Sequence, residues 1–262
     1  MSTYTPRPLG PTLALAGSVG KRADVLVIGL TKSADGPELA LAEGVVDDQI
    51  LSGLLDDLVR VGATGGAEEI TRIPAPESLP VDSVVAVGLG AADKLDAEQI
   101  RKSAGAAARS IKGGGTAATT LSILDLGAAA EGFALGAYVF HEYRSAKSAP
   151  GPEAGPLGAV ELLVTAPKDK SAKETLERST AIAKAVATAR EFVNTPPSHL
   201  FPAEFADRAR ALGSAAGMKV EILDEKALEK NGYGGILGVG KGSSRPPRLV
   251  RLSYSSKKKG AP

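Results

Sequence analysis

Apolar residues fall along this chain in short runs broken by Gly and Pro, alternating with longer stretches in which they recur at helical spacing. The runs 13–16 and 24–29, rich in Leu, Val and Ile, predict buried strands, with a helix expected to continue from the second. From 47 to 60, Ile50, Leu51, Leu54, Leu55 and Leu58 share one helical face while Asp56, Asp57 and Arg60 fall elsewhere. The glycines between 62 and 66 stop that helix. The alternation repeats with a short strand at 69–73, a buried strand at 83–87 and a helix over 96–112. Asp96 is its expected cap, with Gln99 at the reciprocal position. A strand rich in β-branched residues is predicted at 116–124, then a helix over 128–143 carrying Phe133, Leu135, Tyr138, Val139 and Phe140.

The segment 148–158 reads as a Pro/Gly/Ala-rich loop and 160–165 as a further sheet strand. Ser171 and Glu174 form the S-x-x-E pattern of a capping box, opening a helix to about Val193. At 1.5 Å per residue that helix extends roughly 35 Å, enough to join two domains. Its expected packing face carries Leu176, Ile182, Ala183, Val186, Ala189 and Val193, and Thr195-Pro196-Pro197 ends it. Beyond lie a helix at 203–216, a strand at 219–223, a short helix at 225–231, a glycine-rich segment at 232–242 and a strand at 248–254. Strands alternating with helices predict an α/β fold whose sheet is at least partly parallel. The β-α-β pattern after Pro197 leaves a small core and a final strand with an open edge.

Composition narrows the chemistry. With 262 residues, 43% hydrophobic and 23% charged, the chain is a folded globular protein rather than a disordered one. Lys and Arg number 31 against 30 Asp and Glu, so no bulk field favours nucleic acid or an anionic membrane. Cysteine is absent, which excludes disulfides, thiol nucleophiles and thiolate metal sites. His141 and His199 are the only histidines, too few for a multi-histidine zinc centre, so any metal needs oxygen ligands or lysine. With no Trp and 4% aromatic residues, Val, Leu, Ile and Ala build the core, and small side chains favour close packing. The first eleven residues lack the basic head and apolar run of a secretory signal, and the run 25–30 is too short to span a bilayer. The expected location is cytoplasmic.

Several motifs invite a functional reading. Gly235 to Lys241 satisfies the first seven positions of a phosphate-binding P-loop, but Gly242 stands where Ser or Thr is needed and prolines follow where a helix should open. A tight turn between strands is expected there. Gly88-Leu89-Gly90 follows a strand and precedes a helix, as a dinucleotide fingerprint requires, yet Asp93 occupies its last small position. A structural turn is expected here too. His141 reads as a packed or capping residue, and adjacent Ser198 and His199 as a locally bonded turn rather than a nucleophile with its base. The pairs Asp47/Asp48, Asp56/Asp57 and Glu68/Glu69 read as solvated faces, and Lys257-Lys258-Lys259 as a solubilising loop. No complete catalytic constellation is visible, so no catalytic, metal or substrate-binding residue is assigned.

The run Ala189-Arg-Glu-Phe-Val-Asn-Thr-Pro-Pro197, continued by Pro202-Ala-Glu-Phe205, resembles the junction between linker and catalytic domain in the leucyl (cytosol) aminopeptidase family. Gly234 to Ser243 and Pro247 to Tyr254 look like the family's next block, and Val85 to Gly90 and Leu135 to Phe140 fit its N-terminal part. Ser198 departs from the Asn that many relatives carry after the proline pair, a change expected to affect only the turn. The resemblance implies a macro-like N-terminal α/β domain at 1–170 with a mixed or parallel sheet between helices. A connecting helix at 171–196 and the start of an α/β dinuclear-metal catalytic domain at 197–262 follow. It further implies a homo-hexamer acting on peptide substrates, in which two divalent ions, Zn or Mn, activate water and polarise the scissile carbonyl. The family's ligand motifs, resembling V-G-K-G-x-T-F-D and N-T-D-A-E-G-R, do not occur here. Gly240-Lys241-Gly242 supplies no Asp and matches an earlier family segment, so Lys241 takes no ligand role. The expectation is therefore roughly the N-terminal half of an aminopeptidase subunit, inactive alone, with both ions bound outside this chain. The contrasting expectation is a macro-like binding module for an ADP-ribose-type ligand or, weakly, DNA.

Overall fold

In a computed structural model, strands β2 (Val25–Ser33) and β5 (Ser83–Ala91) form the parallel centre of a sheet, and their alternation of side chains builds two cores. Val25 and Val27 of β2 with Val85, Val87 and Leu89 of β5 face one side. Leu26, Ile28 and Leu30 with Val84 and Ala86 face the other. Being covered on both faces, these strands carry near-continuous apolar runs. The structure describes residues 9–40, 44–145, 147 and 155–255. The chain divides into two compact units, with the division between Arg190 and Glu191.

In the first unit, β1 (Thr12–Ala16), β4 (Ile70–Pro74), β6 (Thr116–Thr119) and β7 (Ala159–Leu163) join them in the order β1-β7-β6-β2-β5-β4. Strand β3 (Gly36–Leu39) pairs antiparallel with β2 and β4 antiparallel with β5; the other pairings are parallel, so the sheet is mixed. Helix α1 (Asp48–Arg60) buries Leu51, Leu54 and Leu58 on the Leu26 face. Helices α2 (Ala97–Ser110) and α4 (Leu126–Gly136) cover the Val27 face, with short α3 (Leu121–Leu124) between β6 and α4. Small residues bring α2 and α4 together: a Cβ on Gly132 would lie 2.3 Å from Arg101 O, and one on Gly136 2.5 Å from Gly105 O. Arg101 Nε donates to Glu131 Oε2 at 2.9 Å across the same contact.

Helix α5 (Lys170–Asn194) runs through the division between the units. Its buried positions Ser179, Ala183, Ala187 and Glu191 recur every fourth residue. Of the larger apolar residues expected on that face, Leu176 packs against the core whereas Ile182 and Val193 are exposed.

The second unit holds α6 (Pro202–Ala215), β8 (Lys219–Leu223), α7 (Glu225–Lys230), α8 (Gly234–Gly240) and β9 (Leu249–Ser253). Strands β8 and β9 pair antiparallel, not as the parallel crossover a β-α-β reading implies. Ala206, Ala209 and Leu228 are buried, whereas Val239 is 92% and Tyr254 73% exposed.

Several expected elements differ. No helix continues from β2, which runs on to Ser33 and turns into β3. The strand expected over 116–124 stops at Thr119 and gives way to α3. The helix expected to 143 ends at Gly136, so His141 is not at a helix end. Helix α5 is capped by Asp169, whose Oδ2 accepts from Ala172 N–H at 2.9 Å, and Ser171 is already inside the helix. Asp96 caps α2 as expected, accepting from Gln99 N–H at 2.7 Å, but the Gln99 side chain donates forward to Ser103 Oγ at 3.1 Å rather than closing the box. The glycine-rich segment is helix α8, not a turn.

Candidate functional site

An open α/β sheet offers a crevice outside the carboxyl ends of adjacent strands whose connections leave to opposite faces. Strands β2 and β5 meet that condition, since the chain leaving β2 reaches α1 on one face and that leaving β5 reaches α2 on the other. Their carboxyl ends are occupied by the chain itself. Residues 64–69 run alongside β5: Glu68 N–H donates to Gly88 O and Gly88 N–H to Glu69 O, both at 2.8 Å, and Gly90 N–H donates to Gly65 O at 2.9 Å. At this place the β2–β5 register shifts between Leu30 and Thr31.

The glycines of the fingerprint-like segment serve this approach. A Cβ on Gly88 would lie 1.7 Å from Gly66 O, and Gly90 has φ +77. Gly65, at φ +72, leaves only 2.5 Å between its Cβ position and Thr31 O. The expected structural turn is thus a backbone crossing that only glycine admits.

Glu69 fixes the crossing segment. Its Oε2 accepts from Thr64 N–H at 3.0 Å, Thr64 Oγ1–H at 2.8 Å and Gly66 N–H at 3.1 Å. The Thr64 hydroxyl, joined by the backbone amides, holds this carboxyl below its ordinary pKa against the opposing effect of burial. Glu69 is therefore not part of a solvated acidic face, and the Gly- and Thr-containing loop at 62–66 was the available signal. Asp47 likewise caps α1, accepting from Gln49 and Ile50 N–H at 2.9 and 3.3 Å. Asp57 pairs with Arg60 at 2.8 Å on an exposed face, as expected.

A concavity of about 180 Å³ beside α2 is lined in part by Arg101, Lys102, Arg109, Arg190, Glu68 and Glu98. Its arginines are engaged. Arg101 pairs with Glu98 and Glu131, Arg109 approaches Glu68 at 3.8 Å, and Arg190 donates to Leu135 O at 3.0 Å over the Tyr138 ring. Neither ring nitrogen of His141 has a hydrogen-bond partner among the described residues.

In the second unit, Gly234–Gly240 form helix α8 itself rather than the loop between a strand and a helix that a P-loop requires. Lys241 follows that helix and, with Glu225, Lys226, Glu229 and Pro247, borders an open cavity of about 440 Å³. Ser198 Oγ lies 3.0 Å from His199 Nδ1, the local contact expected of adjacent residues. The guanidinium of Arg245 stacks over Phe201, 3.9 Å from the ring centroid. Among the described residues no group of three His, Cys, Asp or Glu converges as a metal site, so the two-ion centre implied by the sequence resemblance does not fit them. No helix of the described residues is long and apolar enough to cross a membrane. The lysines 257–259, most of the loop at 148–158 and most of the first eleven residues lie outside the described residues.

Comparison with known proteins connects both units to one group. Residues 27–147 match the N-terminal domain, and residues 187–262 the catalytic domain, of the cytosol aminopeptidase family. A probable cytosol aminopeptidase of Rhodococcus jostii is 78% identical over 262 residues, covering 100% of this chain and 52% of the relative. One from Streptomyces coelicolor is 46% identical, with 94% of this chain and 51% of the relative covered. The chain thus spans about half the length of these curated relatives. Among solved structures, the bottromycin maturation enzyme BotP in complex with Mn is 28% identical with a TM-score of 0.69, over 90% of this chain and 46% of that one. A tomato leucine aminopeptidase, at 19% identity, shares the fold with a TM-score of 0.75 over 98% of this chain and 53% of that one.

Proposed function

Because the chain belongs to the cytosol aminopeptidase family, we propose that the protein these residues are part of is a metal-dependent aminopeptidase. It releases N-terminal residues, Leu favoured, from peptides in cytoplasmic turnover. The observation that carries this reading is the match of residues 187–262 to the family's catalytic domain, joined to relatives 46% and 78% identical over nearly all of this chain. Two divalent ions, Zn or Mn, belong to the intact subunit and are held by residues outside the described part of this chain; the manganese of the BotP complex supports a metal requirement. The intact protein assembles as a homo-hexamer. In this division of labour, residues 1–170 are the macro-like domain, 171–196 the connecting helix and 197–262 the opening of the catalytic domain. The chemistry is accordingly not assigned to any residue described here.

The reading as a binding module for an ADP-ribose-type ligand or DNA is not favoured. The sheet's strand-end crevice at β2 and β5 is filled by residues 64–69, and the formal charge is only +1. The test of the aminopeptidase reading is hydrolysis of Leu-p-nitroanilide by protein of the relatives' full length. Turnover should disappear on chelation with 1,10-phenanthroline and EDTA and return with Mn²⁺ or Zn²⁺. Turnover indifferent to chelators would overturn metal dependence, and no turnover with any aminoacyl anilide would overturn the activity.

A further inference from the structure

We infer that residues 64–69 are a strap closed by a self-supplied anion: the Glu69 carboxylate occupies a receptor made of backbone amides and the Thr64 hydroxyl, and so holds the strap across the carboxyl ends of β2 and β5. Three donors converge on one oxygen, Oε2, from Thr64 N, Thr64 Oγ1 and Gly66 N. Successive backbone N–H groups pointing into one concavity make an anion nest of the kind that holds phosphates elsewhere. Here the occupant comes from the same loop. The nest lies directly over the strand ends, since Gly65 and Gly66 are the residues that Thr31 and Gly88 meet.

Two kinds of restraint hold the strap, and they are separable. The ladder to β5, through Glu68, Glu69 and Gly65, is ordinary backbone pairing. The carboxylate closes the loop upon itself and is charge-assisted, which makes it stronger per bond. The remaining charged neighbours do not duplicate it: Glu68, at φ +61, turns toward Arg109, with 3.8 Å between the charged groups. Removing the carboxylate should leave β2 and β5 paired while loosening residues 64–69, which the backbone ladder to β5 alone then holds. The strap is therefore a closure, held by its own carboxylate, over the crevice that the topology provides.

Amide hydrogen exchange on the chain as it stands tests this. In Glu69→Ala, peptides covering 62–70 should exchange about tenfold faster or more, while those covering 25–29 and 83–87 keep their protection. Sodium acetate or inorganic phosphate at millimolar levels should restore slow exchange in that variant and leave the unsubstituted protein unchanged. Thr64→Ala, which removes one donor and keeps the carboxylate, should give a smaller acceleration and guards against a general folding defect in the first variant. Unchanged exchange at 62–70 in both variants would overturn the strap. Faster exchange that neither anion reverses would overturn the receptor, and loss of protection throughout β2 and β5 would show Glu69 to be a core support rather than a closure.

Discussion

Replacing Gly88 by Ala should destabilise this protein, whereas the same substitution at Gly53 should stabilise it. Gly88 lies in a strand without positive φ, so alanine meets no backbone strain; the obstacle is Gly66 O, 1.7 Å from the new Cβ. The strap must retreat until that contact exceeds 3.0 Å. The bonds at risk are Glu68 N–H to Gly88 O, Gly88 N–H to Glu69 O and Gly90 N–H to Gly65 O. At a net worth of about 1 kcal/mol each, their loss costs roughly 2–4 kcal/mol. Reduced freedom of the unfolded chain offsets about 0.4–1 kcal/mol of this, leaving a loss of roughly 1–3.5 kcal/mol. Gly53, inside α1, has nothing within 4 Å of its Cβ position, so alanine there gains about 0.5–1 kcal/mol from helix propensity alone. Urea unfolding followed by far-UV circular dichroism reads both effects: the midpoint should fall by about 1 M for Gly88→Ala and rise slightly for Gly53→Ala. Midpoints that move together, or a Gly88→Ala midpoint equal to that of the unsubstituted protein, would refute the close crossing.

Further outcomes follow from the same geometry. Asp169→Ala should cost about 1 kcal/mol and Ser171→Ala nearly nothing, because Asp169 accepts from Ala172 N–H at the start of α5; equal urea midpoints for the two would return the cap to Ser171. Phe133→Ala, which empties a fully buried position between α4 and the sheet, should cost about 3–5 kcal/mol, and a loss below about 1 kcal/mol would contradict that packing. Glu69 has a lowered folded-state pKa, so its contribution is present above the unfolded value and is lost as pH falls through the folded one. The stability gap between the unsubstituted protein and Glu69→Gln should therefore be full near neutrality and narrow below the ordinary glutamate range. A gap independent of pH would show that the carboxylate's charge is not what binds.

What the sequence revealed depended on which restraints are periodic. Strands β2 and β5 were legible as near-continuous apolar runs because both of their faces are covered, and helices α1 and α2 because burial of one face imposes a repeat of about 3.6. Strand β3 was not: Gly36-Pro37-Glu38-Leu39 carries one apolar residue, and its pairing with β2 is visible only in three dimensions. Helix α8 defies propensity, with four glycines in seven residues. At the start of α5, Asp169 and Ser171 are both good caps, and nothing local decides between them. The likeness of Gly88-Leu89-Gly90 to a dinucleotide fingerprint arises because a backbone crossing and a pyrophosphate both demand missing side chains. Which of these fills the space is set by residues 64–69, some twenty positions away.

On the proposed reading, the 262 residues carry the N-terminal domain and only the opening of the catalytic domain of a metallo-aminopeptidase, with the metal-binding residues lying outside those described. Leu-p-nitroanilide hydrolysis with Mn²⁺, measured side by side on the 262-residue chain and on protein of the relatives' full length, tests it most directly. The longer protein should turn the substrate over only with metal and the 262 residues not at all; turnover by the shorter chain would refute this reading.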